Sequence, residues 1–277
     1  MQLTEPKVSV VVTSHNYAEY LADCLESIIS QDYPHLEILV ADDNSQDDSL
    51  AIARRFEKKD SRVIVLANEE NVGLAKNKNR ACAAASGDLL TFIDADDFYA
   101  SPQKISDEVR LHRDLVAQGV SEPVVYSIAD YDMPRYKIHD VNAVSCPEGN
   151  IFMRLLTRRV GDIPRDPLLS ADLFWRVGGF DDEAKLYVDW SLHVRLAAVS
   201  TFHCMRKIGV VRRIHGGGMS KASPRIHLKW ILRGYRKNYH HLPLLKRPMA
   251  HVILSWTLLV RVLYPWLRDS LRGKASS

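Results

Sequence analysis

Four short apolar runs near the N-terminus each stop at a cluster of polar or acidic residues. Val8–Ser14 ends in TSHN, Leu36–Asp42 in DDNS, Arg62–Asn68 in NEEN, and LLTFI (89–93) in DADD. Continuous, β-branched runs of this kind predict strands buried on both faces of a parallel sheet. Between them lie segments of helical period. Residues 16–30 place Leu21, Cys24, Leu25, Ile28 and Ile29 on one face, and helices are also predicted over 49–59 and the alanine-rich 74–86. Repeated βα units demand right-handed crossovers, so the fold class is α/β with a doubly wound, mostly parallel sheet flanked by helices. Ligands of such sheets bind at the carboxyl ends of the strands. Four polar strand ends therefore predict one pocket.

Beyond Asp97 the pattern loosens. Ser101-Pro102 predicts a helix start, with serine as cap and proline at the first helical position. PVVYSIA (123–129) reads as a strand, followed by a proline-broken region to Asp166. No repeat or low-complexity linker separates the halves, so the second is expected to elaborate the first sheet. At 277 residues, 46% hydrophobic and 26% charged, the chain is long enough for a sizeable core. A net charge of +3 is too small to argue for a nucleic-acid partner. Cys24, Cys82, Cys146 and Cys204 are widely spaced and form no CxxC pair, which predicts reduced structural thiols. MQLTEPKV has no apolar segment ahead of the first strand, so no signal peptide is expected and the compartment is read as cytoplasmic.

The strand ends carry the chemistry. Asp42 and Asp43 are paired carboxylates, whereas Asn44 and Ser45 also read as turn formers and helix caps. In an extended segment residues i and i+2 share a side, so Asp94 and Asp96 are expected to face one ligand together. Crowded carboxylates repel, and a hard cation such as Mn²⁺ or Mg²⁺ bound through oxygen would compensate while holding a diphosphate. Further along, GGFDDEAKLYVDWSLHVRLA (178–197) contains a glycine turn and then Asp189-Trp190 opening a helix, with Leu192, Leu196 and Val199 expected to face the core. Asp189 reads as a general base or as a plain helix cap. In RRIHGGGMS (212–220), Arg213, His215 and Ser220 flank three glycines and suit a phosphate. An ordinary surface loop is the other reading.

These motifs, in this order, resemble the family 2 glycosyltransferases of the GT-A fold, an inverting class that uses nucleotide sugars. The resemblance rests on VSVVVTSHNYAEYLADCLESIISQ, EILVADDNSQDDS, NVGLAKNKNRACAAASGDLLTFIDADD, and GGFDD with VDW, over roughly residues 7–220. It implies that Thr13 and His15 lie against the nucleotide, that Asp43 reads the base, and that Asp94 sits at the ribose. It further implies Asp96 as metal ligand, with His215 near the metal or diphosphate. Lys76, Lys78 and Asn79 match a basic donor-side cluster, with a solvated helix face as the alternative. Asp189 matches the general base, and Val188 stands where the family has a glutamate.

The activity implied is a metal-dependent transfer from a nucleotide sugar, with UDP the leading carrier, to a glycan or lipid-linked hydroxyl. A sugar nucleotidyltransferase shares the sheet but wants a Gly-rich, basic loop after the first strand, which TSHNYAEY lacks. A receiver-like binding protein would begin at the strand ending in DDNS and be complete within ~120 residues.

Residues 1–224 are expected to form the transferase domain, with 1–100 the nucleotide-binding half and 101–224 the acceptor-side half. Residues 225–277 form a basic and apolar helical segment. Arg225, Lys229, Arg233 and Arg236 fall at helical spacing. HVILSWTLLVRVLYPWL (251–267) is interrupted by Arg261, leaving an uncharged run well short of the ~20 residues a spanning helix needs. Three readings stay open for 225–268: contact with a membrane surface, packing on the transferase domain, and packing on a second subunit.

Overall fold

The computed structural model describes residues 5–132, 138–159, 163, 166–215 and 223–259. Strands β1 (Val8–Ser14), β2 (Leu36–Asp42), β3 (Val63–Ala67) and β4 (Leu89–Asp94) lie parallel in the order β3-β2-β1-β4. A two-residue strand β7 (Leu169–Ser170) closes the β4 edge antiparallel. Every residue of β1 and β2 is buried, including the polar Ser9, Thr13 and Ser14 of β1 and Glu37 and Asp42 of β2.

The pleat sends alternate residues to opposite faces, and each face has its own core. Val10 and Val12 join Leu21, Leu25, Ile28 and Ile52, contributed by α1 (Ala18–Ile29) and α2 (Ser49–Lys59). Val11, Leu39 and Phe92 face the other way, onto Ala75, Ala81 and Cys82 of α3 (Leu74–Ala84). Strands two and three are laid down on one side of β1 and β4 on the other. The order reverses between β1 and β4, and that reversal opens the crevice where such sheets bind ligands.

The second half adds to this sheet and builds another. It supplies β7 and completes a three-stranded sheet, β5-β8-β6, from β5 (Phe98–Tyr99), β6 (Val124–Tyr131) and β8 (Phe202–Arg212). The helix after β5, α4 (Lys104–Ala117), starts later than Ser101-Pro102 predicts, with Gln103 at its cap. The Ser101 hydroxyl instead accepts from Gln103 N, so Ser101 and Pro102 make a separate turn ahead of the helix. Inside α4, Lys104 Nζ lies 3.0 Å from both Glu108 and Asp166, all three fully or nearly fully buried. Burial pushes the Glu108 carboxyl up and Lys104 draws it back, so the cation offsets part of the desolvation cost.

The remaining helices are α5 (Phe152–Leu156), α6 (Ala171–Arg176), α7 (Val188–Val199), α8 (Pro224–Asn238) and α9 (Arg247–Leu258). In α7, Leu192 and Leu196 are buried as expected, but Val199 is 55% exposed because it ends the helix. The buried face of α8 (Ile231 and Tyr235) joins the same core as Phe92, so this helix packs on the core of the β3-β2-β1-β4 sheet. Its seat is tight. A Cβ on Gly234 would lie 2.4 Å from the Trp190 ring. All four cysteines are free, as predicted. Among the described residues no helix is long and apolar enough to cross a membrane. Arg261 and the rest of the apolar stretch after Leu259 lie outside the described residues.

Candidate active site

The β1–β4 register places Thr13 opposite Asp94, and the β1–β2 register places Ser14 opposite Asp42. The strand ends therefore arrive level at one edge. The loops beyond them are cross-braced. Asn16 N donates to Ser45 Oγ at 3.0 Å, and Gln46 N donates to Asn16 Oδ1 at 2.7 Å. Asn16 and Asn44 both hold a left-handed backbone, which asparagine tolerates better than most residues.

At the end of β4 the chain turns rather than staying extended. Asp97 N donates to Asp94 O at 3.0 Å, and residues 95–96 form the turn. The expectation that Asp94 and Asp96 share a side of an extended strand is thus corrected, because the strand stops at Asp94. The turn still gathers the carboxylates. One oxygen each of Asp94, Asp96 and Asp97 lie within 4.8 Å of one another. Asp97 Oδ1 accepts from Arg213 N at 3.1 Å, and Asp96 Oδ2 lies 2.9 Å from His215 Nε2. His215 is held in place by Tyr20, ring centroids 5.1 Å apart, and by the edge of Tyr17.

Asp96 Oδ1 is buried and has no hydrogen-bond partner among the described residues. A buried acceptor without a donor is costly, and three hard oxygen ligands beside an imidazole suit Mn²⁺ or Mg²⁺. The residues present fit a divalent cation.

The paired aspartates after β2 have separate duties. Asp42 turns inward and accepts from the Ser45 backbone and hydroxyl, which agrees with reading Ser45 as a turn former. Asp43, 3% exposed, accepts from Asn68 Nδ2 at 2.8 Å and from the backbone of Val72 and Gly73 at 2.9 Å each. Its carboxylate organises the loop after β3, and Oδ2 accepts only from Gly73 among the described residues. His15 is exposed, with Nδ1 2.9 Å from Asp43 O and Asn71 Nδ2 3.2 Å from the ring. Thr13 Oγ1 donates to Asp94 Oδ1 at 3.3 Å.

The KNKNR stretch of α3 splits by face. Lys78 is fully buried, with Nζ 3.0 Å from Asp189 Oδ1 and 3.2 Å from Asp94 Oδ1, and it lies over the Phe180 ring. This is no solvated face. Lys76 is exposed and lines a separate cavity of about 630 Å³ with Arg80, Trp175 and Arg195. Asn79 binds Phe180 O and Asp182 Oδ1 through Nδ2 and receives Phe180 N on Oδ1. It therefore braces the Gly178-Gly179 turn and lines the Lys76 cavity rather than the carboxylate edge. A Cβ on Gly179 would come 2.8 Å from Asn79 Oδ1, so the close approach that this glycine permits is to a side chain of α3.

Asp189 lies in the first turn of α7 and is not its cap, a place taken by Tyr187 in a left-handed conformation. Oδ2 of Asp189 receives no hydrogen bond from the described residues. Trp190 donates to Leu155 O at 2.8 Å and is core, whereas Trp175 is 45% exposed. Asp181 is taken by Arg233 at 2.6 Å and Lys237 at 2.8 Å. Burial alone would raise its carboxyl, but the two cations hold it below the usual range. Arg213 pairs with Asp23 through Nη2 at 2.7 Å and packs on Tyr20 and Phe98, so its guanidinium braces this edge. Gly216–Ser220 lie outside the described residues.

The family model described as Glycosyl transferase family 2 matches residues 9–161, just over half of the chain. The Escherichia coli UDP-Glc:alpha-D-GlcNAc-diphosphoundecaprenol beta-1,3-glucosyltransferase WfaP is 32% identical over 124 residues, 45% of this chain and 45% of WfaP. The crystal structure of Staphylococcus aureus TarS 1–349 in complex with UDP-GlcNAc superposes with a TM-score of 0.71 at 20% identity, covering 91% of this chain and 71% of that one. The mannosyltransferase PcManGT from Pyrobaculum calidifontis, in complex with GDP-Man and Mn²⁺, gives 0.61 at 20% identity, covering 98% and 80%. This chain spans 64%, 37% and 14% of the lengths of the first three curated relatives it matches.

Proposed function

The chain belongs to glycosyl transferase family 2 and has the GT-A fold, and from this we propose that it transfers a sugar from a nucleotide-sugar donor to an acceptor hydroxyl with inversion at the anomeric carbon. One observation carries the reading. The buried Lys78 ammonium reaches both Asp94, at the donor edge, and Asp189, on the acceptor-side helix, so both carboxylates face one place.

In this mechanism Asp189 takes the proton of the acceptor hydroxyl on Oδ2 while Oδ1 is anchored by Lys78. The hydroxyl oxygen then bonds to the anomeric carbon on the face opposite the nucleotide. The bond from that carbon to the diphosphate oxygen breaks, and the nucleoside diphosphate leaves. A single carboxylate on the attacking side gives one displacement and hence inversion, with no covalent intermediate required. Thr13 and Asp94 face the ribose, and Asp43 together with the His15 loop faces the base. Lys76, on the outer face of α3, stays outside this scheme.

Asp96, with Asp94, Asp97 and His215 beside it, would hold Mn²⁺ or Mg²⁺. When bound, the cation neutralises charge on the departing diphosphate. PcManGT was solved with Mn²⁺, and the carboxylate cluster with its orphaned oxygen supports the same requirement here.

WfaP, by its name, uses a UDP sugar and a lipid diphosphate acceptor. We extend this to a UDP-sugar donor and a lipid-linked glycan acceptor for the present chain, working on the cytoplasmic side of a membrane. Residues 1–224 would be the transferase domain and 225–277 its C-terminal segment. The test is transfer from a panel of UDP-, dTDP- and GDP-sugars with Mn²⁺, read beside donor binding. Donor binding without any transfer to glycan or lipid-linked acceptors would overturn the reading.

A further inference from the structure

Helix α9 lacks the polar outer face expected of a surface helix. Its inner face, Ala250, Leu254, Thr257 and Leu258, is buried. Its outer face is apolar too. Met249, Val252, Trp256 and Leu259 are 51%, 70%, 67% and 48% exposed, and Leu245, just ahead of the helix, is 96% exposed. At 3.6 residues per turn, the four helical positions fall within an arc of about 80°. A contiguous stripe of large apolar side chains in water marks a surface that is covered in use.

Charge identifies the cover. No Asp or Glu occurs between Asp189 and Asp269, while that stretch contains Arg206, Lys207, Arg225, Lys229, Arg236, Lys246 and Arg247 among its cations. Two α8 cations, Arg233 and Lys237, pair with acids of the transferase fold. Arg225, Lys229, Arg236 and Lys246 are exposed, with no acidic partner among the described residues. A second copy of the chain would bring the same cation-only region against itself, since a two-fold interface is self-complementary. A bilayer of anionic phospholipid supplies both an apolar layer for the stripe and negative headgroups for Lys246, which follows Leu245 directly, in a part of the chain that carries cations and no acids. Trp256 stands where an interfacial indole is favoured.

We propose that α9 docks this protein on the surface of an anionic bilayer, with Leu245, Met249, Val252, Trp256 and Leu259 entering the acyl boundary while the helix lies in the membrane plane. Docking of this kind does not depend on which sugar is transferred. It would bring a catalytic domain with no spanning helix among its described residues to substrates anchored in the membrane.

Vesicle flotation of the full chain tests it, with phosphatidylcholine vesicles made with and without phosphatidylglycerol. Wild type should float with the anionic vesicles only, and added salt should weaken this. The double variant V252D/W256D changes two solvent-exposed positions, so it should melt with wild type and keep its activity on a detergent-solubilised acceptor. Its vesicle-bound fraction should fall at least about tenfold. Failure of wild type to float, equal flotation on neutral vesicles, or unchanged flotation of V252D/W256D would each overturn the proposal. So would a wild-type dimer in sedimentation that V252D/W256D abolishes without affecting flotation, because the stripe would then be an interface between copies. Loss of transfer with flotation intact would instead count against the catalytic reading alone.

Discussion

Lys78 Nζ lies 3.0 Å from Asp189 and 3.2 Å from Asp94, two residues 95 positions apart that share one fully buried ammonium. Neither carboxylate is deeply buried, at 20% and 14% side-chain exposure, yet the lysine is at 0%. The cation is thus enclosed by its partners, and removing it leaves two like charges facing each other. Breaking an ion pair of this kind from one side typically costs roughly 3 kcal/mol. Lys78→Met should therefore lower the melting temperature and reduce transfer by about 100-fold or more. A Lys78→Met variant that transfers at the wild-type rate would show that Lys78 is only packing.

Asp189→Asn removes the proton acceptor while keeping the shape and an oxygen for Lys78. Donor affinity should change by no more than about twofold. The rate of transfer should fall by roughly 10²–10⁴, the usual worth of a general base. Calorimetry for the donor beside single-turnover transfer separates the two quantities. Full turnover by this variant would remove Asp189 from the mechanism.

Asp96→Asn addresses the cation. The carboxylate of Asp96 has one oxygen on His215 and the other buried without a donor among the described residues, so it is the member of the cluster chosen for the test. Nucleoside diphosphate binding measured with Mn²⁺ should weaken by at least about tenfold in the variant, an effect of roughly 1.4 kcal/mol. Chelation of the metal from wild type should have the same result. Equal binding with and without Mn²⁺ in wild type would show that the carboxylate cluster serves another end.

Much of this site was legible because its signals are local. The strands β1 and β2 and helix α2 fall where the hydrophobic pattern predicts them, and the DADD cluster stands at the end of an apolar run as read. What the sequence could not show depends on distant partners. KNKNR has the composition of a solvated face, and only the approach of α7 makes Lys78 a buried bridge. Asn79 looks like a donor-side residue until the Gly178-Gly179 turn, about 100 positions away, is folded against it. The Lys104–Glu108–Asp166 core network also gave no signal, although the i,i+4 spacing of Lys104 and Glu108 was available as a hint. Nothing in a periodicity plot distinguishes the outer face of α9 from its inner face, because both are apolar.

The acid side of the stability curve should be governed in part by Glu37, at the opposite end of β2 from the candidate site. Burial alone would raise its carboxyl, but hydrogen bonds from Lys7, Ser9 and Ser86 outweigh burial and hold it at about 2, against 4.5 for the ordinary group. The folded value lies below the unfolded one, so the contribution is present above about pH 4.5 and is lost as pH falls toward 2. Because Lys7 is 42% exposed, the bond network is partly screened, and its worth is on the order of 2 kcal/mol rather than the full value of the shift. Glu37→Gln should lose that amount in urea unfolding at pH 6, and the gap to wild type should narrow as pH is lowered from 5 toward 3. Transfer at neutral pH should be unchanged, since no residue of the site touches Glu37. A gap that stays constant with pH would mean that the variant disturbs packing and not the carboxylate charge.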